Sequence, residues 1–358
     1  MKAILLLTVL ALCVVANGQK IIQEINSSDT LTNYIVRLND ETTLSGKILE
    51  KNTIEIIFYD ITIGKVTIPL KSIAAITPLS SNQYCILTTN DGKVFTGMII
   101  SLNEIEVTFK TETLGDLTIS KSKIRDIKIV EKEQIVNGKY FFPNPHPTRY
   151  FFGPSAIPLK KGEGYFQNAW ILANSAQVGL SDNFSIGGGM VIPVLFFVTP
   201  KVGFKVAEKV HIGGGILFAS TFSTVESFGM GVGYGSITLG SNENNFTLSA
   251  GWGMSKQENY NEQTFTSTYS WEFAKRPIIT FSGMVRIAPK MALVTENWVV
   301  SIPETDYNTN ETTYPYYTII SAGFRFMKEK NSFDFGLALP IIDGETVGIP
   351  YVDYVFKF

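Results

Sequence analysis

The stretch Phe246-Thr247-Leu248-Ser249-Ala250-Gly251-Trp252-Gly253-Met254 decides the fold. Successive side chains of an extended chain point to opposite faces, so Phe246, Leu248, Ala250, Trp252 and Met254 share one face and Thr247, Ser249, Gly251 and Gly253 the other. A helical period would mix the two classes. The alternation returns in Ile279, Phe281, Gly283, Val285 and Ile287 against Thr280, Ser282, Met284 and Arg286. It returns again in Phe333, Phe335, Leu337 and Leu339 against Asp334, Gly336 and Ala338. Strands of about 9 to 11 residues, apolar outside and small or polar inside, are those of a β-barrel surrounded by lipid.

The connections agree, because such barrels alternate short turns with longer loops. Short turns are read at Ser181-Asp182-Asn183, Ala207-Glu208-Lys209, Ser241 to Asn244, Ala288-Pro289-Lys290 and Lys328 to Asn331. Longer polar or glycine-rich links occupy 221–228, 256–275, 303–315 and 341–349. With both chain ends on one side the strand number is even. The reading is an all-β chain whose residues 163–358 form an antiparallel barrel of twelve strands, with ten as the alternative. Twelve requires 164–181 to split near Asn174-Ser175. Composition points the same way: 30 glycines, 25 phenylalanines and 15 tyrosines stand beside only 17% charged residues, so strand formers outweigh helix formers.

Residues 1–18 read as a signal peptide, with Lys2 at the start, an apolar run from Ala3 to Ala16 and small residues at Ala16-Asn17-Gly18. That run falls short of the roughly 20 residues of a spanning helix. Beyond it Cys85 is the one cysteine, so an internal disulfide is excluded. The charges, 30 basic and 32 acidic, give no footprint for nucleic acid.

Residues 38–76 and 89–127 align without a gap at an offset of 51. Asn39-Asp40 falls on Asn90-Asp91, Gly46 on Gly97, Asn52 on Asn103, Phe58 on Phe109, Gly64 on Gly115, and Ile73 and Ile76 on Ile124 and Ile127. This is a duplication. Each copy, 19–82 and 83–135, reads as five short strands, a small β-barrel of SH3 or Sm type. The Asn-Asp turn, the downstream glycine and the closing Ile-x-x-Ile resemble Sm-like barrels, a resemblance that implies RNA. Residues 19–139, however, carry 14 Lys plus Arg against 15 Asp plus Glu. Nucleic-acid affinity rests on positive charge, so the pair is read as a periplasmic spacer or an interaction module for a protein partner, and nucleic acid is excluded.

Residues 136–162 form a linker dense in proline, running Tyr140-Phe141-Phe142-Pro143 to Tyr150-Phe151-Phe152-Gly153-Pro154. Its aromatic triplets suit a membrane interface. Arg149 to Ala156, Lys160 to Asn168 and Ser181 to Gly189 resemble uncharacterised outer-membrane β-barrel proteins of the Bacteroidota. Membership implies the outer membrane and its lipid as surroundings and supplies no activity. The closing strand, with Tyr354, Phe356 and Phe358 on one face, resembles the C-terminal signal read by the outer-membrane barrel assembly machinery.

Chemistry is sparse. His146 and His211 lie far apart, with no metal-ligand spacing, and read as a loop residue and a hydrogen-bonded lumen residue. No nucleophile stands beside a base. Glycines 187–189, 213–215 and 229–235 lie within strands rather than before a helix, so phosphate binding fails and small inner-face residues or close strand bending explain them. No catalytic residue, metal site or cofactor is read. Arg325 and Asp334 become cross-strand neighbours in the lumen, with Arg286, Glu296 and Asp353 available to join them. Such a cluster tunes or plugs a pore, or more simply fills a narrow barrel with paired charge. The expected function is non-enzymatic: a structural barrel or small-solute pore. The alternatives are an envelope lipid-modifying enzyme using Glu272, Lys275 and Asp306 at the external rim, and a secreted all-β adhesion protein. For the latter the sequons at Asn26, Asn183, Asn245 and Asn310 would matter.

Overall fold

The computed structural model describes residues 32–40, 42–60, 63–103, 105–221, 229–261, 266–306, 309, 311–342 and 345–358. The expected signal peptide and the sequons at Asn26 and Asn310 lie outside the described residues. The chain forms two compact units, Met1–Phe141 and Phe142–Phe358.

The first unit is built twice over. Strands β1 (Asn33–Leu38), β2 (Thr43–Lys51), β3 (Glu55–Asp60), β4 (Gly64–Pro69) and β5 (Ile73–Leu79) make a sheet of order β4-β3-β2-β1-β5. Strands β6 (Tyr84–Thr89), β7 (Val94–Leu102), β8 (Glu106–Thr111), β9 (Gly115–Ser120) and β10 (Ile124–Ile129) repeat that order as β9-β8-β7-β6-β10. The duplicated residues do duplicated work. Asn39 and Asn90 each donate a side-chain N–H to a carbonyl of the short 3₁₀ turn before the last strand, at 2.8 and 2.9 Å. Asn52 and Asn103 each accept two backbone N–H groups to close the next turn. The bulge at Ile48/Glu50 recurs at Ile99/Ser101, again 51 residues on. Phe58 and Phe109 are fully buried at the two cores, and Ile35 and Leu79 of the first copy pack into the core of the second. A short hairpin, β11 (Ile135–Val136) with β12 (Lys139–Tyr140), ends the unit.

The second unit is a closed barrel. Its walls are β13 (Gly164–Ala169), β14 (Ala173–Gly179), β15 (Phe184–Val191), β16 (Leu195–Ala207), β17 (Val210–Thr221), β18 (Gly229–Gly240) and β19 (Asn244–Asn261). Beyond β20 (Thr266–Phe273), which extends β19, the wall continues through β21 (Ile278–Ala288) and β22 (Met291–Ser301). After the ribbon β23 (Glu304–Asp306) and β24 (Glu311–Thr313) come β25 (Tyr316–Met327) and β26 (Asn331–Ile342). The two-residue β27 (Glu345–Thr346) precedes β28 (Ile349–Lys357). Sequential neighbours pair antiparallel around the ring, β28 pairs with β13, and β19 pairs with both β18 and β21, so the ring closes. Twelve strands close the barrel, as the sequence predicts.

All five expected short turns are present, at one rim. The other rim carries the longer links and also two three-residue connections, 170–172 and 192–194, which the sequence does not announce. The split between β13 and β14 thus falls at 170–172, ahead of Asn174-Ser175. The reason is local: Trp170 and Ile171 take φ of 48° and 68°, a region in which bulky and β-branched residues are rare. Tertiary pairing imposes a turn there that residue preference alone would place at the Asn-Ser pair.

The outward face is apolar. Phe246, Leu248 and Trp252 are exposed while Thr247 and Ser249 are buried, and Phe333, Phe335 and Leu337 are exposed around a fully buried Asp334. Tyr354, Phe356 and Phe358 likewise face out, with Tyr351, Asp353 and Val355 facing in. These greasy side chains are therefore an outer surface and not the core of a sandwich.

Candidate functional site: the barrel lumen

Residues 142–163 are not an interfacial linker. They belong to the barrel unit, and residues 144–159 run inside it, so the expected boundary 136–162 divides at Phe141, and Phe142, Tyr150 and Phe151 are 5%, 1% and 2% exposed. The prolines do prevent regular structure, as expected. The segment instead folds into a tight hairpin in which Tyr150 N–H donates to Gly153 O and Ser155 N–H to Thr148 O.

The hairpin is anchored at the short-turn rim. Asn144 bonds Glu243 and the Asn242 carbonyl, Lys161 N–H bonds Asp182, and Arg286 lies over the Phe142 ring at 4.6 Å. At its tip Glu296 Oε2, from the middle of β22, accepts the N–H groups of Phe151, Phe152 and Gly153 at 2.8, 3.0 and 2.8 Å, and the Phe152 ring meets Trp170 of the opposite rim at 5.3 Å. Glycine spacing makes room for it. A Cβ on Gly203 would sit 2.5 Å from Ala156 O, and one on Gly213 would sit 3.4 Å from Ala156 Cα. At Gly213 the closest neighbour is Val202 O of the adjacent wall strand, at 2.6 Å, so close strand approach accounts for this glycine and the hairpin adds an ordinary contact.

The charge cluster exists with a different membership. Arg325 donates from Nε and an Nη to Asp334 at 2.9 and 2.7 Å, as cross-strand register predicts. Asp353 joins through a residue that strand periodicity could not supply: Arg149 of the hairpin, which bonds Asp334 at 3.1 Å and pairs with Asp353. Two arginines and two aspartates, all 2% exposed or less, form a neutral quartet. Tyr351 and Gln167 each donate to Asp353 at 2.7 Å. Arg325 also donates to the carbonyls of His146, Arg149 and Tyr150, so the wall grips the hairpin backbone as well as its charge.

Arg286 and Glu296 stand apart from this quartet. Arg286 pairs with Glu243 at 2.6 Å and bonds the Phe142 carbonyl, because its place next to the short turn puts it at the hairpin's entry. Glu296 has no cationic partner among the described residues, and four N–H donors, including Trp298 Nε1 at 2.9 Å, surround its carboxyl. Glu272, Lys275 and Asp306 are exposed at the opposite rim. His146 is buried in the hairpin, edge-on to Tyr165, and neither of its ring nitrogens has a hydrogen-bond partner. His211 faces inward as expected, but its Nδ1 is unbonded rather than satisfied.

Fold and lumen together define a closed antiparallel barrel with an apolar outer wall and a chain-borne hairpin inside. The chain matches no protein-family profile and no curated protein. Among solved structures it is similar to the NanC porin in a rhombohedral crystal form, at 8% identity and a TM-score of 0.33, over 55% of this chain and 97% of that one.

Proposed function

We propose that the protein is an outer-membrane β-barrel that serves as a non-enzymatic, self-plugged structural anchor and presents its N-terminal repeats to a protein partner in the periplasm. The observation that carries this reading is the hairpin of residues 142–163, locked by a buried, neutral Arg149/Arg325/Asp334/Asp353 quartet in a barrel whose outer wall is apolar. Lipid around the barrel accounts for that wall, since a large apolar surface is otherwise a liability in water. The hairpin is bonded to strands all around the lumen, from Thr238 of β18 to Asp353 of β28, which favours a closed lumen over a standing pore. The repeats' near-neutral charge favours a protein partner over nucleic acid. Tyr354, Phe356 and Phe358 face outward, which supports reading this strand as one that barrel assembly machinery could recognise.

Planar-bilayer recordings of the full chain test the reading. The intact protein is expected to be silent, and a variant lacking residues 146–157 to conduct. Steady conductance of the intact protein would favour the small-solute pore, and a chain that stays soluble and monomeric without detergent would refute the membrane placement.

A further inference from the structure

Beside the hairpin, between it and strands β13 to β18, lies a cavity of about 270 Å³. Most of its wall is apolar, built by Phe152, Leu159, Val191, Phe197 and Leu217. The same wall carries three donors, Lys201, Tyr165 and Tyr234. Lys201 pairs across the strands with Gly215, where a Cβ would sit 2.6 Å from the Tyr234 hydroxyl. Lys201 is 7% exposed. Its Nζ donates to Ile157 O at 2.9 Å and, more weakly, to Thr148 O at 3.4 Å, and among the described residues no carboxylate pairs with it. An ammonium carries three N–H groups, so at least one is left over. The hydroxyls of Tyr165 and Tyr234 have no hydrogen-bond partner among the described residues either. Of the other polar groups on this wall, Gln177 bonds Ser185 and accepts from Thr199, both at 3.0 Å, and Gln167 donates to Asp353, while the Thr148 hydroxyl has no partner among the described residues.

A buried cation without a counter-charge is costly, and the lumen elsewhere avoids that cost by pairing Arg149, Arg325 and Arg286 with carboxylates. Lys201 is the exception, and it is the one that opens on a cavity. We infer that this cavity is a binding site for a small monocarboxylate with an apolar tail, its carboxylate received by Lys201, Tyr165 and Tyr234 and its tail lying along Phe152, Phe197 and Leu217. Scaled from the 150 Å³ cavity that holds benzene, 270 Å³ admits about eleven non-hydrogen atoms, the size of a medium-chain fatty acid. The site needs only the barrel and its hairpin, so its failure would leave the closed-barrel reading untouched.

Equilibrium dialysis of radiolabelled octanoate and octanol against the full chain in lipid nanodiscs tests the assignment, with protein-free discs as background. The native chain is expected to retain octanoate above background. Lys201→Met is expected to weaken octanoate at least tenfold while leaving octanol within threefold. Leu217→Trp, which fills the cavity and keeps the amine, is expected to abolish retention of both and decides the matter should Lys201→Met fail to fold. Octanoate held no better than by empty discs, held equally by Lys201→Met, or undiminished in Leu217→Trp would overturn the proposal.

Discussion

Replacing Arg149 with leucine should release the hairpin from the barrel. The guanidinium is 2% exposed and is shared between Asp334 and Asp353. Its removal turns a neutral quartet into one cation facing two carboxylates. Asp334 keeps three bonds from Arg325, at 2.9, 3.1 and 2.7 Å, so the loss falls on Asp353, left with two neutral donors, Tyr351 and Gln167. Breaking a buried pair from one side costs about 3 to 5 kcal/mol, because the remaining charge is stranded. At 1.4 kcal/mol per tenfold, that is about two to three and a half powers of ten in the docking equilibrium. Hydrogen exchange reads it directly, since the amides of Phe151, Gly153 and Ala156 bond lumen side chains and are exposed only when the hairpin leaves. Exchange across residues 147–157 should accelerate by that factor while the strands stay protected. The double variant Arg149→Leu, Asp353→Leu, which leaves the Arg325–Asp334 pair balanced, should recover most of the protection. Unchanged exchange in the single variant, or a double variant no better protected than the single, would refute the claim that paired charge holds the hairpin.

Four further outcomes are expected. Gly203→Val places a side-chain carbon 2.5 Å from Ala156 O, so it should displace the hairpin and raise bilayer conductance above the native level; a silent, folded variant would count against steric seating. Gly46→Ala and Gly97→Ala each drive a Cβ to within 1.8 and 2.1 Å of a facing carbonyl, Tyr59 O and Lys110 O. Because Ile35 and Leu79 bridge the two cores, either change should lower the melting midpoint of both copies together, which circular dichroism or exchange mass spectrometry would show. Burial pushes the Cys85 thiol up to about 12, so a disulfide reagent at pH 8 should label it only after denaturation; rapid labelling of the folded chain would contradict its packing. The Thr89 hydroxyl and the Lys93 ammonium hold Asp91 down to about 2, so its bonds at this exposed turn should persist as pH falls through the ordinary carboxylate range and be lost only near pH 2; nuclear magnetic resonance titration of its carboxyl carbon would detect an earlier transition.

The rival with active groups at the far rim gains nothing from the geometry. Glu272, Lys275 and Asp306 are exposed there, whereas the buried and organised polar groups are those that hold the hairpin. The lumen's chemistry is spent on closure, with Lys201 and its neighbouring tyrosines as the exception that leads to the cavity.

Much of this protein is written in short-range pattern. Alternation at Phe246 to Met254 fixed which residues face out, because a pleated strand turns every second side chain to the same side whatever its partners are. The 51-residue repeat foretold two sheets of identical order, down to the paired asparagines that close their turns. Register also gave the Arg325–Asp334 contact, since a short turn leaves one way to pair the flanking strands. What the pattern could not carry was the destination of residues 142–163. An irregular, proline-rich segment has no period, and its position is set by partners far away in sequence: Tyr150 meets Asn245, Arg149 meets Asp334 and Asp353, and Gly153 meets Glu296. Those partners come together only when the twelfth strand closes on the first, so Arg149, the hairpin and the cavity beside Lys201 belong to the tertiary structure alone.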